Sequence, residues 1–228
     1  MNIKKTLTEF ILDYKWLIIG GLILFVPSLI LLKFFPVNPN GCTINGFCLT
    51  LSSLWGAVTS IFIFDSWINI PVFITLLLIF VFIEYVLPKE TIKKQARYSS
   101  SLMYLTGIAA NLVYIILAPT KLSQGPSGVI EGLYGIIFGL TFVNILINPI
   151  FKFKLSYFNP RNHKRNEFLY YSANITVLLV ILISIESNTY GFLGAGPGIN
   201  SAVHGIAFIL GLVSAIVLGY IEKFRLGR

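Results

Sequence analysis

Six long apolar runs constrain this chain more than any other feature. They cover about 16–35, 70–87, 101–118, 125–147, 168–185 and 201–221. A helix needs roughly 20 largely apolar residues to cross about 30 Å of hydrocarbon, and each run reaches or approaches that length. Composition agrees where it bears on the point. Charged residues make up 11% of the 228 positions, against about 25% in a soluble domain. The expectation is an all-α polytopic membrane protein, a single six-helix domain over 1–228, sitting in the cell membrane as a multi-pass protein. A further apolar stretch, 49–64, is shorter and ends at Asp65. Within the first outer loop, 36–69, it reads as a re-entrant or interfacial segment.

Charge gives the orientation. Lys and Arg gather in cytoplasmic loops. With the N-terminus inside, 15 of the 17 basic residues fall on inner segments, and only Lys33 and Lys121 fall outside. Six spans with both termini cytoplasmic account for that bias. The net charge of +8 is then a topology signal. It is spread over four inner segments, whereas a nucleic-acid partner would need it gathered on one surface. The first apolar run is too long for the core of a signal peptide, and no small-residue cleavage site follows it.

Cys42 and Cys48 lie in the first outer loop. Outside the cell a disulfide persists, so a structural disulfide or two unpaired thiols is expected there. No neighbouring His or Cys suggests a metal, and no cofactor is implied. The loop 187–200 is glycine-rich and outside; the loop 148–167 is basic and inside. Asn174-Ile175-Thr176 matches a glycosylation sequon, but this topology puts it at the inner end of a helix, where it is dismissed.

Two spans carry candidate chemistry. The fourth opens Gly125-Pro126-Ser127-Gly128, and Gly125, Gly128, Gly132, Gly135 and Gly139 recur at steps of three and four. On a helix these glycines form one stripe that lets a neighbour approach closely in lipid. Ser127, Glu131, Tyr134 and Phe138 share a second face beside it. The sixth span opens Asn200-Ser201-Ala202-Val203-His204, with Ala207, Gly211 and Ala215 on the face of His204. In this topology Ser127 and His204 lie at similar depth, near the outer ends of their helices. An intramembrane ionisable residue is a functional candidate by default. The bland alternative is a pair of packing helices bearing an ordinary serine and an ordinary histidine.

Gly-x-Ser-Gly opening the fourth of six spans, with His204-Gly205-Ile206-Ala207-Phe208-Ile209-Leu210-Gly211 in the sixth, resembles the rhomboid intramembrane serine proteases. Trp55, Thr59-Ser60-Ile61-Phe62 and Trp67 are similar to that family's first outer loop as it enters the second span. The resemblance covers roughly 55–219. It implies a rhomboid-like bundle hydrolysing peptide bonds of transmembrane protein substrates, with membrane lipid as its other partner. Ser127 would be nucleophile and His204 base. Asn69 and Gly125 would support the oxyanion, together with the Ser127 amide. The family's second span commonly carries a His and, four residues on, an Asn near the oxyanion; here Asn69 and Phe73 stand at those positions. Ala207 stands where the family commonly has glycine, and Gly56 follows Trp55 where an Arg is common.

Glu131, one turn beyond Ser127, is unexpected. Either it orients the imidazole of His204, or it bonds Tyr or Ser hydroxyls in the core. Two other functions compete. One is a rhomboid-like pseudoprotease that binds membrane proteins without cutting them. The other is a small transporter with a proton path through Glu84, Glu131 and His204, although the chain shows no internal repeat of the kind common in transporters.

Overall fold

A computed structural model describes residues 3–34, 55–63, 67, 69–84, 89–117, 125–150, 175, 179 and 201–226. Among these the architecture is all-helical. α1 spans Ile3–Phe34, α2 is the short Gly56–Thr59, α3 is Asn69–Glu84, α4 is Lys89–Leu117, α5 is Ser127–Ile150 and α6 is Ser201–Leu226. A 3-10 turn, Ser60–Phe62, continues directly from α2. Cys42, Cys48, the loop 187–200 and most of the basic loop lie outside the described residues. So does the fifth expected span, except Ile175 and Leu179, which are helical and exposed.

Among the described residues three helices are long and apolar enough to cross a membrane: Tyr14–Phe34, Lys94–Leu117 and Ala202–Gly219. Asn69–Ile79 and Ser127–Val143 are shorter apolar helices. The helices α1 and α4 begin well before the apolar runs at 16–35 and 101–118. Polar and charged residues interrupt hydropathy but not helix: Lys, Glu, Gln and Arg are good helix formers. Pro27 sits inside α1. One residue on, Ser28 Oγ–H donates to the Leu24 carbonyl at 2.6 Å, a local bond of the kind that helps a membrane helix carry proline.

A row of large apolar side chains on α1 faces outward: Leu12, Trp16, Ile19, Ile23, Val26 and Ile30 are all exposed. Their steps of three and four make one continuous stripe. In water such a stripe would exceed the apolar patch a soluble monomer leaves uncovered; lipid tails cover it at no cost. Together with the long apolar helices, this makes the chain a membrane protein.

Specific contacts fix the helix directions. Ser100 Oγ–H on α4 donates to the Trp16 carbonyl of α1 at 2.7 Å. One turn along both helices, the Tyr104 hydroxyl donates to the Gly20 carbonyl at 2.5 Å. α1 and α4 are therefore parallel. Gly107 of α4 lies against Val129 of α5, while Thr106 and Met103 lie against Gly132. Position falls on one helix as it rises on the other, so α4 and α5 are antiparallel. Gly128 faces Val203, Gly135 faces Phe208, Gly139 faces Ala215, and Gly219 of α6 faces Val143. α5 and α6 are therefore parallel.

These directions bring the start of α5, the start of α6 and the end of α4 to one end of the bundle. The segment over 55–63, expected as a re-entrant or interfacial stretch, packs there too. Ala57 meets Ile115 of α4, and Ile61 joins the main core with Ile130 and Leu133. At the opposite end of α1 and α4, Trp16 has two cations over its ring: Lys15 Nζ at 5.6 Å and Arg97 Cζ at 5.5 Å.

Candidate active site

The turn that enters α5 is built before the helix starts. Gly125 has φ 113°, a left-handed conformation that glycine adopts without steric cost. Its N–H donates to the Ser60 carbonyl at 2.8 Å. What Gly125 contributes is thus the shape of the turn, with its own amide already used. The Pro126 carbonyl accepts from the amides of Val129 at 3.0 Å and Ile130 at 3.2 Å, which starts the helical ladder. Ser127 is the first residue of α5. Amides in the first turn have no carbonyl of their own helix to bond, so those of Ser127 and Gly128 have no partner within α5.

His204 lies in the first turn of α6. Its Nε2 is 2.9 Å from Ser127 Oγ, and the pair is partly buried. With the ring proton on Nδ1, Nε2 accepts from the serine hydroxyl. That is the arrangement in which an imidazole can take the proton as the oxygen attacks.

The glycine stripe sets this distance. A Cβ on Gly135 would run into the Phe208 carbonyl, and one on Gly211 into the Gly132 carbonyl. On Gly139 it would stand 2.8 Å from both the Ala215 methyl and the Leu212 carbonyl. Backbone meets backbone along this seam, so α6 cannot move away from α5 without opening a void, nor closer without a clash. Phe138 and Phe208 close the seam below the pair, with ring centroids 5.8 Å apart.

No known protein family, curated protein or solved structure matches this chain.

Asn69 opens α3, is buried, and has a bonding partner. Phe73, one turn on, does not face the serine. Its ring packs edge-on against Phe25 of α1 at 5.6 Å, and it fills the space above Gly21. The position that the resemblance gives to a second oxyanion donor thus belongs to the α1–α3 contact. Glu131 is half-buried one turn beyond Ser127. Among the described residues the bond found on His204 is the one to Ser127, and Glu131 is not joined to the imidazole.

One polar residue that the sequence did not single out is part of this end of the bundle. Asn111 of α4 is buried, and its Nδ2 donates to the Ala57 carbonyl at 3.3 Å and to Ser60 Oγ at 3.2 Å. A lone Asn inside an apolar run is the signal that could have found it. A buried amide costs free energy unless it is bonded, so its presence at 111 announces a polar partner.

Proposed function

We propose that this chain is an intramembrane serine endopeptidase of the rhomboid type, cutting peptide bonds of transmembrane proteins with Ser127 and His204. The observation that carries the reading is the 2.9 Å contact between Ser127 Oγ and His204 Nε2. It joins the starts of two parallel apolar helices, and it matches the motifs Gly-Pro-Ser-Gly and His-x-x-Ala-x-x-x-Gly.

Ser127 Oγ attacks the scissile carbonyl carbon as His204 Nε2 takes its proton. The negative charge moves to the carbonyl oxygen, where the first-turn amides of α5 and the Asn69 side chain are the candidate donors. Collapse of the tetrahedral intermediate breaks the C–N bond, and His204 returns the proton to the leaving amine. An acyl-serine remains. Water, deprotonated by the same imidazole, then releases the acid and restores the hydroxyl. Both termini lie inside on this reading, in keeping with the 15 basic residues on inner segments. An impermeant thiol reagent that fails to reach reduced Cys42 and Cys48 in intact cells would reverse that orientation.

The test is fluorophosphonate labelling of the purified protein, paired with cleavage of a transmembrane reporter. Wild type is expected to label at Ser127 and to cut. Ser127→Ala and His204→Ala each lower turnover by on the order of 10³ or more, while losing the one hydrogen bond costs only about 1 kcal/mol of stability. Equal cleavage by Ser127→Ala would end the proposal.

One observation favours a second reading, a rhomboid-like pseudoprotease that binds membrane proteins without cutting them. Phe73 is committed to the core against Phe25, which leaves the oxyanion with fewer side-chain donors. Absence of labelling on a folded, membrane-inserted protein would decide for it.

A further inference from the structure

Two hydrogen-bonded links, Asn111 to Ser60 and Ser60 to Gly125, lead from α4 to the turn that presents Ser127. Asn111 is 4% exposed, and its Nδ2 reaches the Ala57 carbonyl and Ser60 Oγ at 3.3 and 3.2 Å. The Ser60 carbonyl in turn accepts from Gly125 at 2.8 Å and from Ile63 at 3.1 Å. Gly125, at φ 113°, stands two residues before Ser127. A hinge-like glycine on its own leaves the following residue free to wander. Here its amide is tied down, and the group it is tied to is held by Asn111.

The same helix pins the far side of the turn. Gly107, one turn before Asn111 on the same face of α4, lies so close to Val129 that a Cβ there would be 3.0 Å from the Val129 backbone N and Cα. α4 therefore grips the chain on both sides of Ser127: at Gly125 through Asn111 and Ser60, and at Val129 through direct contact. Among the described residues the hydrogen bond found on the serine hydroxyl is the one to His204, with none from α4. The effect of α4 on the Ser127–His204 distance runs through the backbone.

We propose that Asn111 is a positioning residue for Ser127, acting through the segment 55–63. The segment is then the clamp that holds the Gly125-Pro126 turn in register with α6. The inference deepens the protease reading and rests on it for its catalytic consequence, but not for its geometric one. Asn111→Leu keeps the branched shape and the number of side-chain heavy atoms, and removes both donors. Freed from Asn111, the segment and the Gly125 turn relax, and Ser127 Oγ drifts from His204.

Two readouts separate this role from simple support of the fold. The first is reporter turnover. Asn111→Leu is expected to lower kcat by about 10- to 100-fold, as a displacement of about 1 Å can do, with KM changed by less than about twofold. Asn111→Gln, which retains the amide donors, recovers part of the loss, and Ser60→Ala, which keeps the carbonyl bonded to Gly125, loses less than Asn111→Leu. The second readout needs no protease activity. A thiol introduced as Ser127→Cys, alkylated in the full-length protein in nanodiscs and quantified by mass spectrometry of the residue-127 peptide, reports its contact with the imidazole. Combining Ser127→Cys with Asn111→Leu is expected to slow alkylation about tenfold, with the melting temperature recorded alongside. Unchanged kcat with only a lower melting temperature would overturn the inference; so would equal alkylation in both backgrounds. If wild type neither labels nor cuts, but Asn111→Leu still slows alkylation, the positioning role stands and the protease reading falls.

Discussion

The two sides of the bundle are joined by opposite means. Between α5 and α6, side chains are removed until backbone touches backbone at Gly135, Gly139 and Gly211. Around α1, side chains make the joint: Ser100 and Tyr104 of α4 bond to α1 carbonyls, and Phe73 of α3 wedges against Phe25. A backbone seam has no rotamers, so it fixes distance tightly. A seam of long side chains can yield by a rotamer change. The candidate catalytic pair, Ser127 and His204, sits on the first kind. α1, which carries no candidate catalytic group, sits on the second.

The largest effect that would break this contrast is at Gly135. Gly135→Ala puts a methyl into the Phe208 carbonyl, and neither backbone can give way. Separation of α5 from α6 is expected to cost about 1–3 kcal/mol or more and to lower labelling of Ser127 by on the order of 10²-fold. Thermal melts and fluorophosphonate labelling on one preparation check both numbers. Wild-type labelling in Gly135→Ala would mean that the seam does not set the spacing.

A middle-sized effect is expected on the other side. Tyr104→Phe removes the bond to the Gly20 carbonyl and nothing else in shape. Stability should fall by about 1 kcal/mol, with reporter cleavage within about twofold of wild type. A large loss of cleavage would show that α1 is coupled to the site after all.

The smallest effect is at Gly205, next to His204, where an added Cβ would meet nothing within 4 Å. Gly205→Ala should leave labelling unchanged and raise stability by up to about 1 kcal/mol through helix propensity. A loss in this variant would mean that proximity to the histidine, and not the packing of glycine, governs sensitivity.

Hydropathy made the apolar helices legible, and the spacing of Gly128, Gly132, Gly135 and Gly139 made the close face of α5 legible, because both are properties of a single helix. The helical ends at Ile3 and Lys89 were not, since hydropathy marks lipid and not helix. The direction in which Phe73 packs, toward Phe25 of α1, was hidden for a related reason. α3 is apolar nearly all round, so its sequence carries no sign of which residues face α1. The clamp at Asn111 was hidden differently. An isolated Asn states that a partner exists, but Ala57 and Ser60 lie more than 50 positions away, and only the fold brings them together.

α4 is also a ruler. Arg97 shares the ring of Trp16 with Lys15, and Trp with basic residues marks the level of the headgroups. The antiparallel register that sets Gly107 beside Val129 puts Ser127 level with residue 109 of α4. Twelve residues of helix from Arg97 rise about 18 Å. With Trp16 and Arg97 placed at the headgroups and hydrocarbon about 30 Å thick, the serine would lie about 12 Å short of the far boundary. A peptide bond buried in a membrane helix at that level has its hydrogen bonds made and no water beside it. On the protease reading proposed above, the helix carrying such a bond would have to unwind or slide toward the headgroups before the bond reached Ser127, and the local helical stability of the substrate segment would govern which bond is exposed.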